Sequence, residues 1–155
     1  MAMLWKIVEA AFEAYYNNSR KDTYLYRFED FGDVNFRSGR NTRLAGKVGV
    51  NERPSDYLLT DNGQTSYVEV KSCSNKTSFP FSNIQGSQWR AAIQQVRANG
   101  PYYFVIYSAE QKSWFKVPAT VLVETREAGK KSLAYKDIQA YRWHDMELFF
   151  STYQL

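Results

Sequence analysis

Asp61-Asn62-Gly63 lies between two short runs of alternating character, Asp56-Tyr57-Leu58-Leu59 and Ser66-Tyr67-Val68-Glu69-Val70-Lys71. Asn-Gly between such runs predicts a tight β-hairpin, because both turn residues can adopt the positive φ that a twisted two-residue connection requires. A hairpin sets the start of its first strand beside the end of its second. Asp56 and Glu69, thirteen positions apart, are therefore expected to meet at one edge of a sheet. Lys71 follows Glu69 by two residues and shares its face on a strand. Two carboxylates and a lysine so placed are equipment for hydrolysing a phosphodiester with a divalent metal. Such a cation takes one or two carboxylates plus water and phosphate oxygens, and an ammonium steadies charge developing on the phosphorus centre. Magnesium is the expected ion, with manganese as its substitute. Glu-x-Lys alone is common, and a plain hairpin with surface ion pairs uses the same residues. The preceding Pro54-Ser55-Asp56 makes the pattern more specific.

The rest of the chain reads as elements that enclose this hairpin. Leu4, Ile7, Val8, Ala11, Phe12 and Tyr15 recur at helical spacing and predict an amphipathic helix ending near Asn17-Asn18. Tyr24 to Phe28 alternates like a strand. Between Phe36 and Arg53 apolar periodicity fades, and Arg37, Arg40, Arg43, Lys47 and Arg53 are opposed only by Glu52. That stretch reads as a projecting basic loop, about residues 33–53. Ser72 to Ser82 is polar, contains Pro80 and reads as a loop crossing one face of the site. Ile84 to Ala98 is helical in pattern and stops at Asn99-Gly100-Pro101. Tyr102 to Tyr107 is nearly all apolar, the mark of a strand buried on both faces. Trp114 to Val117 is expected to pair with it through Glu110-Gln111-Lys112. Pro118 opens a short helix, Ala119 to Glu127. A basic loop, Gly129-Lys130-Lys131-Ser132, and a short helix near Lys136 to Ala140 follow. The aromatic tail from Glu147 is expected to pack. The order gives an α/β fold, a central mixed β-sheet flanked by helices.

With 155 residues and no linker, repeat or composition break, one domain over residues 1–155 is expected. Cys73 and His144 are the only residues of their kinds. This excludes an internal disulfide, a cysteine-based zinc site and clusters of histidine ligands. Cys73 reads as a packed side chain, His144 as structural, and Trp89 and Trp114 as core or subunit contacts. No apolar run approaches the roughly 20 residues that span a bilayer. A soluble protein of a reducing compartment, cytoplasmic and without a membrane partner, is expected. The net charge of +4 leans toward polyanions.

Pro54-Ser55-Asp56 and Glu69-Val70-Lys71 resemble the PD-(D/E)XK nuclease superfamily with its restriction-endonuclease-like fold. Within it the chain resembles the RecU family of Holliday junction resolvases, most strongly from Ser55 to about Ser108. Ser55-Asp56-Tyr57, Glu69-x-Lys71, Asn75-Lys76-Thr77-Ser78-Phe79-Pro80, Asn83, Gln88 and Tyr103-Phe104-Val105-Ile106 carry the likeness. Lys130-Lys131-Ser132-Leu133 adds to it. The Lys-Thr-Ser-Phe-Pro string is more specific than the acidic motif. The chain is short for a cellular member, as a phage-type member would be.

The resemblance implies that Asp56, Glu69 and Gln88 form the metal site and that Lys71 is the transition-state lysine. It also implies an acidic residue from the first helix, Glu9 or, one turn on, Glu13. The family carries a threonine two positions before the aspartate, where this chain has Pro54, so no role is assigned there. The basic stretch takes the place of the family's stalk, which enters the centre of a four-way junction. Arg37, Arg40, Arg43, Lys47 and Arg53 are then candidate DNA contacts, with Phe36 as a stacking wedge and Lys76, Thr77 and Ser78 beside the cut. A homodimer is implied, with the first helix and Leu148, Phe149, Phe150 and Tyr153 as candidate interface. The activity implied is magnesium-dependent junction resolution by paired symmetric nicks, leaving 5′ phosphates, in DNA recombination and repair. Two alternatives stand beside it: a restriction- or repair-type endonuclease of the same fold acting on duplex DNA, and a DNA-binding module that does not cut.

Overall fold

The computed structural model describes residues 3–29 and 52–153. Helix α1 (Leu4–Ser19) leads into β1 (Thr23–Arg27). After residues 30–51 come β2 (Tyr57–Asp61) and β3 (Gln64–Cys73), then the short β4 (Ser78–Pro80) and a 3-10 turn (Phe81–Asn83). Next are α2 (Gly86–Arg97), β5 (Tyr102–Ser108), β6 (Ser113–Pro118) and α3 (Ala119–Glu127). The described chain closes with β7 (Ser132–Ala134), a kinked 3-10 segment (Tyr135–Tyr141) and α4 (His144–Tyr153).

Five strands form one mixed sheet in the order β1-β2-β3-β5-β6. Only the β3–β5 pair is parallel, and α2 supplies the crossover between them. The hairpin turn has φ of 51° at Asn62 and 79° at Gly63. Both turn residues are left-handed, the conformation Asn-Gly adopts most readily, so this dipeptide sets the register Tyr57↔Val68.

The sheet divides two cores. On one face Tyr57, Leu59, Val68, Val70, Val105 and Trp114 pack against α1 and α4. On the other, Phe104, Ile106, Phe115 and Val117 pack against α2, α3 and the 3-10 segments. Odd-numbered residues of β3 turn toward α2 while Val68 and Val70 turn toward α1, as a period of two demands. That parity carries Glu69 and Lys71 to the α2 side.

Two expectations need correction. Ser72 to Ser82 is not a plain loop: β3 runs on to Cys73, and Ser78–Pro80 pairs antiparallel with β7 in a separate two-stranded ribbon. Pro80 is tolerated because it stands at the end of a three-residue strand. The aromatic tail is a helix, and Phe150 is 4% exposed within the protein's own core, so it is not free to meet a partner. Leu148 and Tyr153 do remain exposed. Trp114 and Trp89 are core residues. The basic candidates Arg37, Arg40, Arg43 and Lys47, with Phe36, lie outside the described residues. No helix among the described residues is long and apolar enough to cross a membrane.

Candidate active site

Asp56 occupies the position just before β2, directly across from Glu69 on β3, and every polar atom of this step is used. Its backbone N–H donates to Glu69 Oε1 at 3.1 Å, and its carbonyl accepts from the Phe28 N–H at 3.0 Å. Its carboxylate accepts from the Val70 N–H at 2.9 Å through Oδ2 and from Arg53 Nη2 at 3.1 Å through Oδ1. Backbone and acid therefore hold one another, and the two carboxylates come together although they are 5% and 2% exposed.

Lys71 and Gln88 complete the group. Gln88 stands in the first turn of α2, where its Oε1 accepts from the Gln85 N–H at 2.9 Å. That bond satisfies one free amide at the helix start and fixes the side chain. The same oxygen accepts from Lys71 Nζ at 2.9 Å, and Gln88 Nε2 donates to Glu69 Oε2 at 2.6 Å. Two donors on one oxygen settle the amide's orientation, so its NH2 end faces Glu69. Lys71 Nζ lies 3.5 Å from Glu69 Oε2.

Asp56, Glu69, Lys71 and Gln88 border one open cleft of about 420 Å³, with Arg53, Val70, Ser72 and Asn83 around them. Glu9 and Trp5 reach it from α1, one turn apart and so on one helix face. Glu9 is paired with Arg27 at 2.9 Å. Glu13, its rival, bonds Arg27 and the Tyr57 hydroxyl and is not part of the cleft wall. Trp5 was not singled out from the sequence. Its one signal is an exposed aromatic at helical spacing from an acid. The Pro54 carbonyl accepts from the Tyr102 hydroxyl at 2.7 Å.

Lys76 and Thr77 are exposed on the approach to β4, with Ser78 half-buried at its start, and none of them lines the cleft. Cys73 packs beneath this approach, its thiol against Asn75 and the Ser78 carbonyl. His144 stays near the surface beside Glu147 at 3.7 Å.

Burial pushes the Glu69 carboxyl from its ordinary 4.5 up to about 8, and the adjacent Asp56 carboxylate adds to this; Lys71 and Arg53 pull the other way. Glu9 is raised too, by burial first and Asp56 next, against the pull of Arg27. The site therefore holds more negative charge than it comfortably buries. Among the described residues no group of three or more acidic, histidine or cysteine side chains converges as a metal cage. Two hard carboxylates in an open cleft suit a cation that keeps several of its waters, as magnesium does. The residues fit such an ion: Asp56 and Glu69 are its natural ligands, and Gln88 in this orientation holds Glu69 and Lys71 in place.

The raised Glu69 carboxyl has a measurable consequence. From pH 4.5 to about 8 the folded protein retains a proton that the unfolded chain has released, so the contribution of Glu69 to metal-free stability is fully present below this window and is lost as pH rises through it. A magnesium ion held by these carboxylates would favour their ionised form and the folded state, so any rise in melting temperature on adding magnesium is expected to grow with pH. Thermal melts with chelator and with magnesium across that window check this. Glu69→Gln should flatten the pH dependence and shrink the magnesium effect together.

A family model described as Recombination protein U matches residues 34–152, most of the chain. Among solved structures, Hjc from Archaeoglobus fulgidus, a Holliday junction resolvase from an archaeal hyperthermophile, is similar over 92% of this chain and 98% of its own. Its sequence identity is 11% and its TM-score 0.49. No curated protein matches the chain.

Proposed function

Since the chain belongs to the RecU family of Holliday junction resolvases, we propose that it is a metal-dependent endonuclease that cuts four-way DNA junctions by paired symmetric nicks. The observation that carries this reading is the meeting of Asp56, Glu69, Lys71 and Gln88 in one accessible cleft. Asp56 and Glu69 would hold magnesium, or manganese in its place. When bound, such an ion supplies an activated water and charge neutralisation at the leaving oxygen. Lys71 places its ammonium where negative charge grows on the phosphoryl oxygens. Gln88 fixes both Lys71 and Glu69, and contact between its oxygen and the ion requires the amide to turn. Glu9 borders the same cleft and is the candidate for the acidic residue contributed by the first helix.

Residues 1–155 are read as one nuclease domain, with the basic stretch about residues 33–53 in the role of the family's stalk. Arg37, Arg40, Arg43 and Lys47 meet the phosphate-dense junction centre, where each contact releases counterions. Arg53 stands at the foot of the stalk and reaches Asp56, so it joins the DNA contacts to the cutting centre. Lys76, Thr77 and Ser78 bond backbone phosphates beside the cut. A four-way junction has near two-fold symmetry, so two symmetric nicks require two sites related by a two-fold axis, as a homodimer provides. The exposed residues Leu148 and Tyr153 of α4 and the outer face of α1 are its candidate surface. The compartment is the cytoplasm, where such DNA is found.

Cleavage of an immobile four-way junction and of its component duplexes, under one magnesium concentration, tests the reading. The expected result is symmetric nicking of the junction at least roughly tenfold faster than any duplex, about 1.4 kcal/mol of discrimination in the barrier. Equal rates favour a restriction- or repair-type enzyme. Binding without cutting favours a DNA-binding module.

A further inference from the structure

Beside the 3-10 turn lies a hollow of about 480 Å³ lined by Pro80, Phe81, Ser82, Arg126, Lys130 and Lys131. Its three charged residues are all cations. We propose that this hollow is a second phosphate-backbone site, which holds the duplex arm of the junction leaving the cutting centre. The inference rests on the nuclease reading and adds to it a place for the arm.

Three observations carry it. First, the cations are mounted on fixed backbone. Gly129, at φ 90°, turns the chain out of α3, and its N–H donates to the Arg126 carbonyl at 2.9 Å. The Lys131 carbonyl accepts from the Phe81 N–H at 2.9 Å, which ties the lysine loop to the floor of the hollow. Arg126 lies over the Trp89 ring at 4.8 Å, so its guanidinium is held at the rim.

Second, the hollow shares a wall with the cleft. Ser82 lines one and Asn83 the other, and adjacent residues stand about 3.8 Å apart. Third, the β4–β7 ribbon joins this site to the other expected backbone contacts. Its register pairs Pro80 with Ser132 at one end and Ser78 with Ala134 at the other. Lys131 and Lys76–Thr77 thus sit at opposite ends of one short platform. Three cations unopposed by an acid in the lining of the hollow suit a phosphate backbone.

The test uses the full chain with fluorescent four-way junction, measuring binding against salt without magnesium and single-turnover cleavage with it. Lys130→Gln/Lys131→Gln should reduce the slope of log affinity against log salt by about 1.8, two phosphate contacts at about 0.9 each. The half-saturating junction concentration should rise while the cleavage rate at saturation stays within about twofold. Lys130→Arg/Lys131→Arg should restore the slope, which separates charge from folding. An unchanged slope in the glutamine variant, with wild-type protein cutting the junction, overturns the hollow alone. Wild-type protein that neither binds nor cuts the junction overturns the nuclease reading, and this inference with it.

Discussion

Asp56→Asn should lower junction cleavage by on the order of 10³-fold or more while junction binding stays within about threefold, because catalytic groups that act as a unit fail together. The substitution keeps the shape of the side chain and an acceptor for the Val70 N–H. The backbone bonds of residue 56 to Glu69 and Phe28 do not involve the side chain at all. What changes is one negative charge beside Glu69. A single carboxylate then remains to hold a divalent ion, and the ion's affinity and placement are lost together. With like-charge repulsion relieved, the Glu69 carboxyl becomes easier to ionise, and the Arg53 ion pair is given up in exchange. The variant should therefore fold, as near-ultraviolet circular dichroism will report. A variant that is folded, binds junction and cuts it at the wild-type rate removes Asp56 from the chemistry.

Lys71→Met should cost roughly 10²- to 10³-fold in cleavage rate, the range for deleting one preorganised donor to a charged transition state. Methionine keeps the unbranched stem and all but the terminal atom of the side chain, so the packing beside β5 survives. Two further effects follow from the geometry. Lys71 is among the groups that pull the Glu69 carboxyl down, so its loss leaves Glu69 protonated to higher pH. The rising limb of the pH–rate profile should move to higher pH than in wild type. Gln88 also loses one of the two donors on its oxygen and is freer to turn. A lysine that served only as a surface ion pair would change neither the rate nor the profile. Unaltered cleavage with an unmoved profile would falsify the role given to Lys71.

Much of this was legible from local chemistry. Asn62-Gly63 fixed the hairpin because the turn tolerates few other residues, and a period of two then placed Glu69 and Lys71 on one face. Asn99-Gly100-Pro101 and Pro118 marked helix limits for equally local reasons. The β4–β7 ribbon was hidden because it pairs residues more than fifty positions apart, and three-residue strands leave no periodicity to read. The last helix was read only as a packed tail, since its aromatic residues point both inward to the core and outward to solvent. At the site, composition gave the acids, but not the network that seats them. Gln88 facing Glu69 with its NH2 end follows from Lys71 and Gln85 both donating to its oxygen, a tertiary fact with no trace in spacing. Arg27 on β1 pairs with both Glu9 and Glu13, and what separates the two acids is that Glu13 also takes the Tyr57 hydroxyl while Glu9 lines the cleft, a difference that helical spacing does not carry.

The most direct measurement is an anomalous difference map from a crystal of the wild-type protein grown with manganese. A peak in contact with the carboxylate oxygens of both Asp56 and Glu69, absent from the Asp56→Asn crystal, is the predicted result. A cleft without a peak at saturating manganese, or a peak elsewhere on the molecule that survives the substitution, contradicts it.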